Sequence, residues 1–191
     1  MRFGALTCLA VSFLALPIPT VLEAQDQTVI FLVRHAERAD DVTGEAAMAK
    51  QPEMAMAPQM MSDDPPLSEA GMERADLLAT MLRDGGITHI HSTDYLRTRQ
   101  TAEPTVEATG VDLSIYDASD LKAFAGELRS APGTHLVVGH SNTTPGLVEA
   151  LGGDPGTPIG SLEYDRLYLV IIGETGIRTV LLRFGEPFPG S

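Results

Sequence analysis

The chain has 191 residues, 43% of them hydrophobic and 20% charged, the composition of an ordinary globular domain, which excludes disorder over most of its length. Lysine and arginine number 13 against 26 acidic residues, a formal charge of −13. So acidic a chain speaks against nucleic-acid binding, which needs a basic face, but not against a small phosphorylated substrate gripped by a few convergent arginines.

Residues 1–24 stand apart from the fold. Arg2 gives a positive start, residues 3–16 form an apolar run, Pro17 and Pro19 interrupt it, and Ala24 offers a small residue for cleavage before Gln25. That order reads as a secretory signal, and the run is short for the ~20 residues of a membrane-spanning anchor. Cleavage after Ala24 removes Cys8, the only cysteine, and with it any disulfide, thiol nucleophile or thiolate metal site. The expected mature protein is a single domain, residues 25–191, secreted or periplasmic, with no stable membrane insertion.

Beyond the signal, strands alternate with helices. Residues 28–33 form a continuous β-rich apolar run, as in a strand covered on both faces. Ser68 caps a helix running to Leu82, with Glu69 in its first turn, Leu78, Met81 and Leu82 on one face, and Gly85-Gly86 as its stop. A short strand at 87–91, a helix at 96–108 and a third strand at 111–116 follow. Leu121, Phe124, Ala125 and Leu128 recur at helical spacing. Residues 134–138 make a fourth buried strand, and a short helix then carries Leu147, Val148 and Leu151 up to Gly152-Gly153. Residues 166–172 and 177–184 predict a closing hairpin. The alternation predicts an α/β fold: a three-layer sandwich with a mostly parallel central sheet and helices on both faces.

One stretch breaks the rhythm. Residues 39–66 hold four prolines and five methionines and read as a flap inserted between the first strand and the first helix. The methionines serve as adaptable apolar fillers over a cleft, with copper(I) ligation as the alternative.

The chemistry gathers where strands end. Arg34-His35 follows the first strand and Gly139-His140 follows the fourth, and in parallel sheets ligands bind outside the carboxyl ends of the strands. The two histidines are therefore expected to face each other. Arg34, Arg97 and Arg99 reach the same edge, a combination suited to bidentate grip on a phosphate, and helix amino termini after each histidine would add backbone donors.

Four motifs occur in order: Arg34-His35-Ala36-Glu37, Leu67-Ser68-Glu69-Ala70-Gly71, Ser92 with Leu96-Arg97-Thr98-Arg99-Gln100-Thr101-Ala102, and Gly139-His140-Ser141-Asn142. Their order resembles the histidine phosphatase superfamily, the phosphoglycerate-mutase-like proteins. The resemblance implies an α/β sandwich, no metal or other cofactor, and hydrolysis through a phosphohistidine. It also implies His35 as nucleophile and Arg34, Arg97 and His140 as the phosphate pocket, with Arg99 a surface residue or one that backs the pocket without touching phosphate. A neutral imidazole attacks well near pH 7, and permanently charged guanidinium groups suit the equatorial oxygens of a phosphoryl group in transfer.

The acid that protonates a leaving group is not matched by a motif. Asp117 at the end of the third strand and Glu37 beside His35 are candidates, as are Asp40 and Asp41. Ser141 stands where one branch of the family has an aspartate. Family members without such an acid act on good leaving groups such as phosphohistidine or acyl phosphates. His89 and His91 are expected on opposite faces of their strand, unable to form a common site, and His135 has no role. Two other readings stay open: a phosphate-binding module without turnover, and a metallohydrolase using His35, Glu37 and His140, though the adjacent arginines would repel a divalent cation.

Overall fold

The structure is a computed structural model that describes residues 27–41 and 64–190. The expected signal, and within the expected flap residues 42–63 with all five methionines, lie outside the described residues. Ten elements follow in chain order: β1 (Thr28–Arg34), α1 (Glu69–Leu82), β2 (His89–Ser92), α2 (Leu96–Thr109), β3 (Leu113–Ile115), α3 (Leu121–Ser130), β4 (Gly133–Gly139), α4 (Thr143–Ala150), β5 (Arg166–Gly173) and β6 (Gly176–Arg183). One six-stranded sheet runs β3-β2-β4-β1-β5-β6. The pairs β1–β4, β2–β4 and β2–β3 are parallel, whereas β5 is antiparallel to β1 and β6 to β5. The sheet is thus mostly parallel, with the expected hairpin closing one edge.

Both faces of β1 are covered, which is why its sequence shows no polar alternation. Ile30 and Leu32 pack with Phe124, Leu128, Leu147 and Val148 from α3 and α4. Val33, on the other face, packs with Leu78 and Leu82 of α1 and Ala102 of α2. Those two clusters are the two interfaces of a three-layer sandwich.

The local signals largely operate as chemistry predicts. Ser68 Oγ accepts from Gly71 N at 3.1 Å, capping α1. Gly110 ends α2 in the left-handed conformation, φ 72°, and its N–H bonds the Val106 carbonyl. Met81 departs from the expectation: it is 46% exposed, because α1 turns Leu78 and Leu82 inward and leaves Met81 on the solvent side. The base of the insertion is clamped, since Arg38 and Leu67 form an antiparallel bridge and Ala39 N donates to the Pro66 carbonyl at 2.9 Å.

Candidate active site

Adjacent strands deliver the two histidines. Arg34 and Gly139 are register partners at the carboxyl ends of β1 and β4, and the His35 N–H continues the ladder to the Gly139 carbonyl at 2.9 Å. The imidazoles lie 5.5 Å apart, edge to face, so they do face each other. Gly139 is required by close approach: a Cβ there would sit 2.9 Å from both Thr143 Oγ1 and the Tyr116 hydroxyl. Thr143 Oγ1 accepts from His140 N at 2.9 Å, and Thr144 Oγ1 donates to the Val33 carbonyl at 3.1 Å, tying α4 to both strand ends.

The protonation of His35 follows from its neighbours. Its Nδ1 lies 2.8 Å from the Ala36 carbonyl, which can only accept, so Nδ1 carries the proton and Nε2 keeps its lone pair. Burial first, then Arg34, Arg97 and His140, pushes its pKa down to about 2, so the ring is neutral. His140 is pushed down to about 4, chiefly by burial and then by Arg97 and Arg34. Its Nε2 lies 2.9 Å from Thr93 Oγ1. When Thr93 donates to that nitrogen, the neutral ring's proton sits on Nδ1 as a further donor.

Arg34 is buried and held on three sides. Its Nη1 donates to the Gly160 and Glu163 carbonyls at 2.9 and 3.0 Å, and Nη2 donates to the Tyr164 hydroxyl at 3.2 Å. Of its five N–H donors this leaves Nε–H, which has no partner among the described residues, and one on Nη2. Arg97 Nη1 donates to Asp64 at 3.1 Å, its guanidinium covers the Tyr95 ring at 4.4 Å, and its Nε likewise has no partner among the described residues. Asp64 also accepts from Leu96 N at 2.8 Å, capping α2 from a distant segment. Arg34, Arg38, Arg97, Tyr95 and both histidines line a cleft of about 510 Å³, and no carboxylate lines it among the described residues. Sequence reasoning missed Arg38, Tyr95, Asp64, Thr93 and Tyr164. Arg38 alone had a signal, as a second arginine on the segment that carries His35.

The expected acids are engaged elsewhere. Asp117 is fully exposed and folds back to accept from Ser119 N at 2.8 Å, a bond that lowers its pKa and makes it a turn residue. Glu37 points away from the cleft and takes Arg74 through both oxygens, at 2.7 to 3.0 Å. The metallohydrolase arrangement therefore loses its carboxylate, and no group of three or more potential metal ligands occurs among the described residues. Asp40 pairs with Arg38 at 3.2 Å. Asp41 accepts from Arg38 at 2.8 and 3.2 Å and from the Tyr164 hydroxyl. Arg99 pairs with Asp94 on the surface, as expected. The helix donors form only in part. Thr143 begins α4 next to His140, but the amino end of α1 docks on Glu37, where Ser68 N donates to its carbonyl at 2.9 Å.

The expectation that His89 and His91 lie on opposite faces of their strand is overturned. Residues two apart on a strand share a face, so His89 and His91 lie on the same side, with rings stacked 6.2 Å apart. His135 stacks 4.4 Å from His89, and its Nδ1 lies 3.2 Å from His91 Nε2. His135 Nε2 donates to the Ala131 carbonyl at 2.8 Å, so the trio is a packed, hydrogen-bonded part of one sheet face.

Residues 30–122, which carry three of the four motifs, match the model of the histidine phosphatase superfamily (branch 1). By that match, residues 30–122 belong to that superfamily. A 50-residue stretch is 46% identical to a Yersinia pestis protein named "Probable phosphoglycerate mutase GpmB", covering 26% of this chain and 23% of that one. The match therefore spans about a quarter of the length of the curated relatives. The fold is that of the protein histidine phosphatase SixA in complex with tungstate: 18% identity, 81% of this chain and 96% of the other, TM-score 0.57. It is equally that of phosphoglycerate mutase from Bacillus anthracis: 15% identity, 83% and 93% coverage, TM-score 0.59. Members of the superfamily are phosphatases and mutases that work without metal.

Proposed function

We propose that this chain is a metal-independent phosphohydrolase working through a phosphohistidine on His35. The observation that carries the reading is the bond from His35 Nδ1 to the Ala36 carbonyl, which leaves Nε2 as the nucleophilic atom beside three arginines. Nε2 attacks phosphorus and the bond to the leaving group breaks, its electron pair departing with that group. Water then cleaves the phosphorus–nitrogen bond, releasing phosphate and restoring the neutral ring. Arg34, Arg97 and His140 hold the dianion, and Arg38, paired with Asp40 and Asp41, borders the cleft. Arginines beside both imidazoles disfavour a divalent cation in the same place.

The cleft's lack of a lining carboxylate among the described residues favours substrates whose leaving group departs without a strong acid: aryl phosphates, phosphoramidates and acyl phosphates. The structural neighbour SixA, a protein histidine phosphatase complexed with tungstate, is in line with that class. Residues 1–24 are proposed as a cleaved leader that makes the enzyme secreted or periplasmic. An N-terminus at Gln25 on the exported protein supports this, and an intact Met1 on it overturns it.

Incubation with 4-nitrophenyl phosphate tests the chemistry. The expected result is nitrophenol release together with alkali-stable, acid-labile phosphate on His35, both lost in His35→Ala. Phosphate binding with neither product marks a binding module without turnover.

A further inference from the structure

A second hollow adjoins the catalytic cleft. A groove of about 460 Å³ runs between α4 and the segment 155–159, lined by Pro145, Gly146, Pro155, Pro158 and Ile159 among others. Ser141 and Asn142 line both hollows. The far wall is continuous as well. Ile159 lines the groove, Gly160 accepts from Arg34 through its carbonyl, and Ser161 lines the cleft. A phosphoryl group between Arg34 and Arg97 would thus have the groove as a neighbour of its leaving group.

The groove wall is built rigid from below. Buried Arg166 donates to the Thr157 carbonyl at 2.6 Å and to Thr157 Oγ1 at 3.0 Å. The buried Tyr168 hydroxyl donates to the Pro155 carbonyl at 2.9 Å. Glu163 pairs with Arg166 at 2.5 Å and accepts from Gly160 N at 2.8 Å. Burial alone would raise the Glu163 carboxyl; the bonds from Arg166, Gly160 N and Arg183 hold it near 2 instead, so the pair stays ionised. The phosphoryl chemistry uses none of these buried groups. Their shared effect is to fix residues 155–160 before any ligand arrives, which lowers the ordering cost of binding there.

Charge separates the two hollows. The cleft is lined by Arg34, Arg38 and Arg97, whereas among the described residues no cation lines the groove and Glu149 is its one acidic side chain. Glu149 also lines a neighbouring depression between α3 and α4, where Lys122 and Arg129 are found. We infer that the groove is the leaving-group subsite, and that it takes a singly phosphorylated substrate whose leaving portion is apolar and carries no second anionic group. A substrate with a carboxylate or second phosphate beyond its phosphoryl group would bring an anion to Glu149 inside a groove that no cation lines among the described residues.

This rests on the phosphohydrolase reading, and the test separates the two. The full chain is assayed at low ionic strength with 4-carboxyphenyl and 4-(trimethylammonio)phenyl phosphates, and the ratio of their kcat/KM values is compared between wild type and Glu149 variants, so that the different acidity of the two leaving groups cancels. The expected cationic-to-carboxylate ratio falls about fivefold in Glu149→Gln, further in Glu149→Lys, and the difference between wild type and variants shrinks in salt. No turnover of any probe defeats the phosphohydrolase reading itself. Turnover with a cationic-to-carboxylate ratio unmoved by Glu149→Lys, in a variant of unchanged melting temperature, overturns the subsite alone.

Discussion

The guanidinium of Arg34 lies 4.0 Å above the ring of Tyr164 while its Nη2 donates to the hydroxyl of that same residue. One tyrosine therefore meets the arginine by its face and by its edge, and its own hydroxyl donates a hydrogen bond to Asp41. Burial, reinforced by the Asp41 carboxylate, raises the Tyr164 pKa, so the hydroxyl stays protonated and available to both partners.

Tyr164→Phe keeps the ring and removes the hydroxyl. It leaves Arg34 Nη2 short of one acceptor, so the grip on phosphate should weaken by roughly 3- to 10-fold, the net worth of one ordinary hydrogen bond. The inhibition constant of inorganic phosphate reads this directly. An unchanged constant would detach Tyr164 from the site.

Thr93→Val removes the hydroxyl that meets His140 Nε2. The ring then loses the partner that selects its tautomer, and kcat should fall about tenfold with smaller change in KM. Thr93→Ser, which keeps the hydroxyl, should recover most of the rate.

Acid should affect activity late and stability early. His35 and His140 titrate near 2 and 4, so kcat/KM corrected for substrate ionisation should show no limb near the ordinary histidine value of about 6.5. Stability follows the opposite course. His91 is held down to about 4, first by burial and then by His135 and His89. Its unfolded form takes up a proton near 6.5, which favours unfolding. Stability is therefore full above about 6.5 and declines as pH falls towards 4. His91→Gln, which keeps a donor for His135 Nδ1, should make that decline shallower in denaturation midpoints, with His35 and His140 supplying the remainder.

Two glycines make a paired test. A Cβ at Gly71 would lie 2.2 Å from the Glu37 carbonyl oxygen, so Gly71→Ala must push α1 off the segment carrying His35. A loss of about 1–3 kcal/mol and a fall in activity are expected. Gly126, inside α3 with nothing near its Cβ position, should gain about 0.5–1 kcal/mol as alanine.

The sequence displayed what depends on periodicity and strand ends. β1 and β4 are continuous apolar runs, so their carboxyl ends, and with them Arg34-His35 and Gly139-His140, could be located without any tertiary knowledge. Asp117 and Glu37 looked like acids because sequence distance places them near the site. Asp117 is spent on its own turn, and Arg74, 37 residues away, claims Glu37. Tyr164 and Asp64 were invisible for the same reason in reverse, since each reaches its arginine from irregular chain over 30 residues away or more. The histidine trio failed on geometry alone, by giving residues two apart on a strand opposite sides.

The reversed direction of β5 has a consequence for where function can reside. Leu167 pairs with Val33, so β5 begins at the edge where β1 ends. A strand running with β1 would have entered from the opposite rim and carried its preceding loop away from the imidazoles. Turning one strand around instead converts an entrance into an exit: the approach to β5 supplies Gly160, Glu163 and Tyr164 to Arg34, as the departures from β1 and β4 supply the histidines.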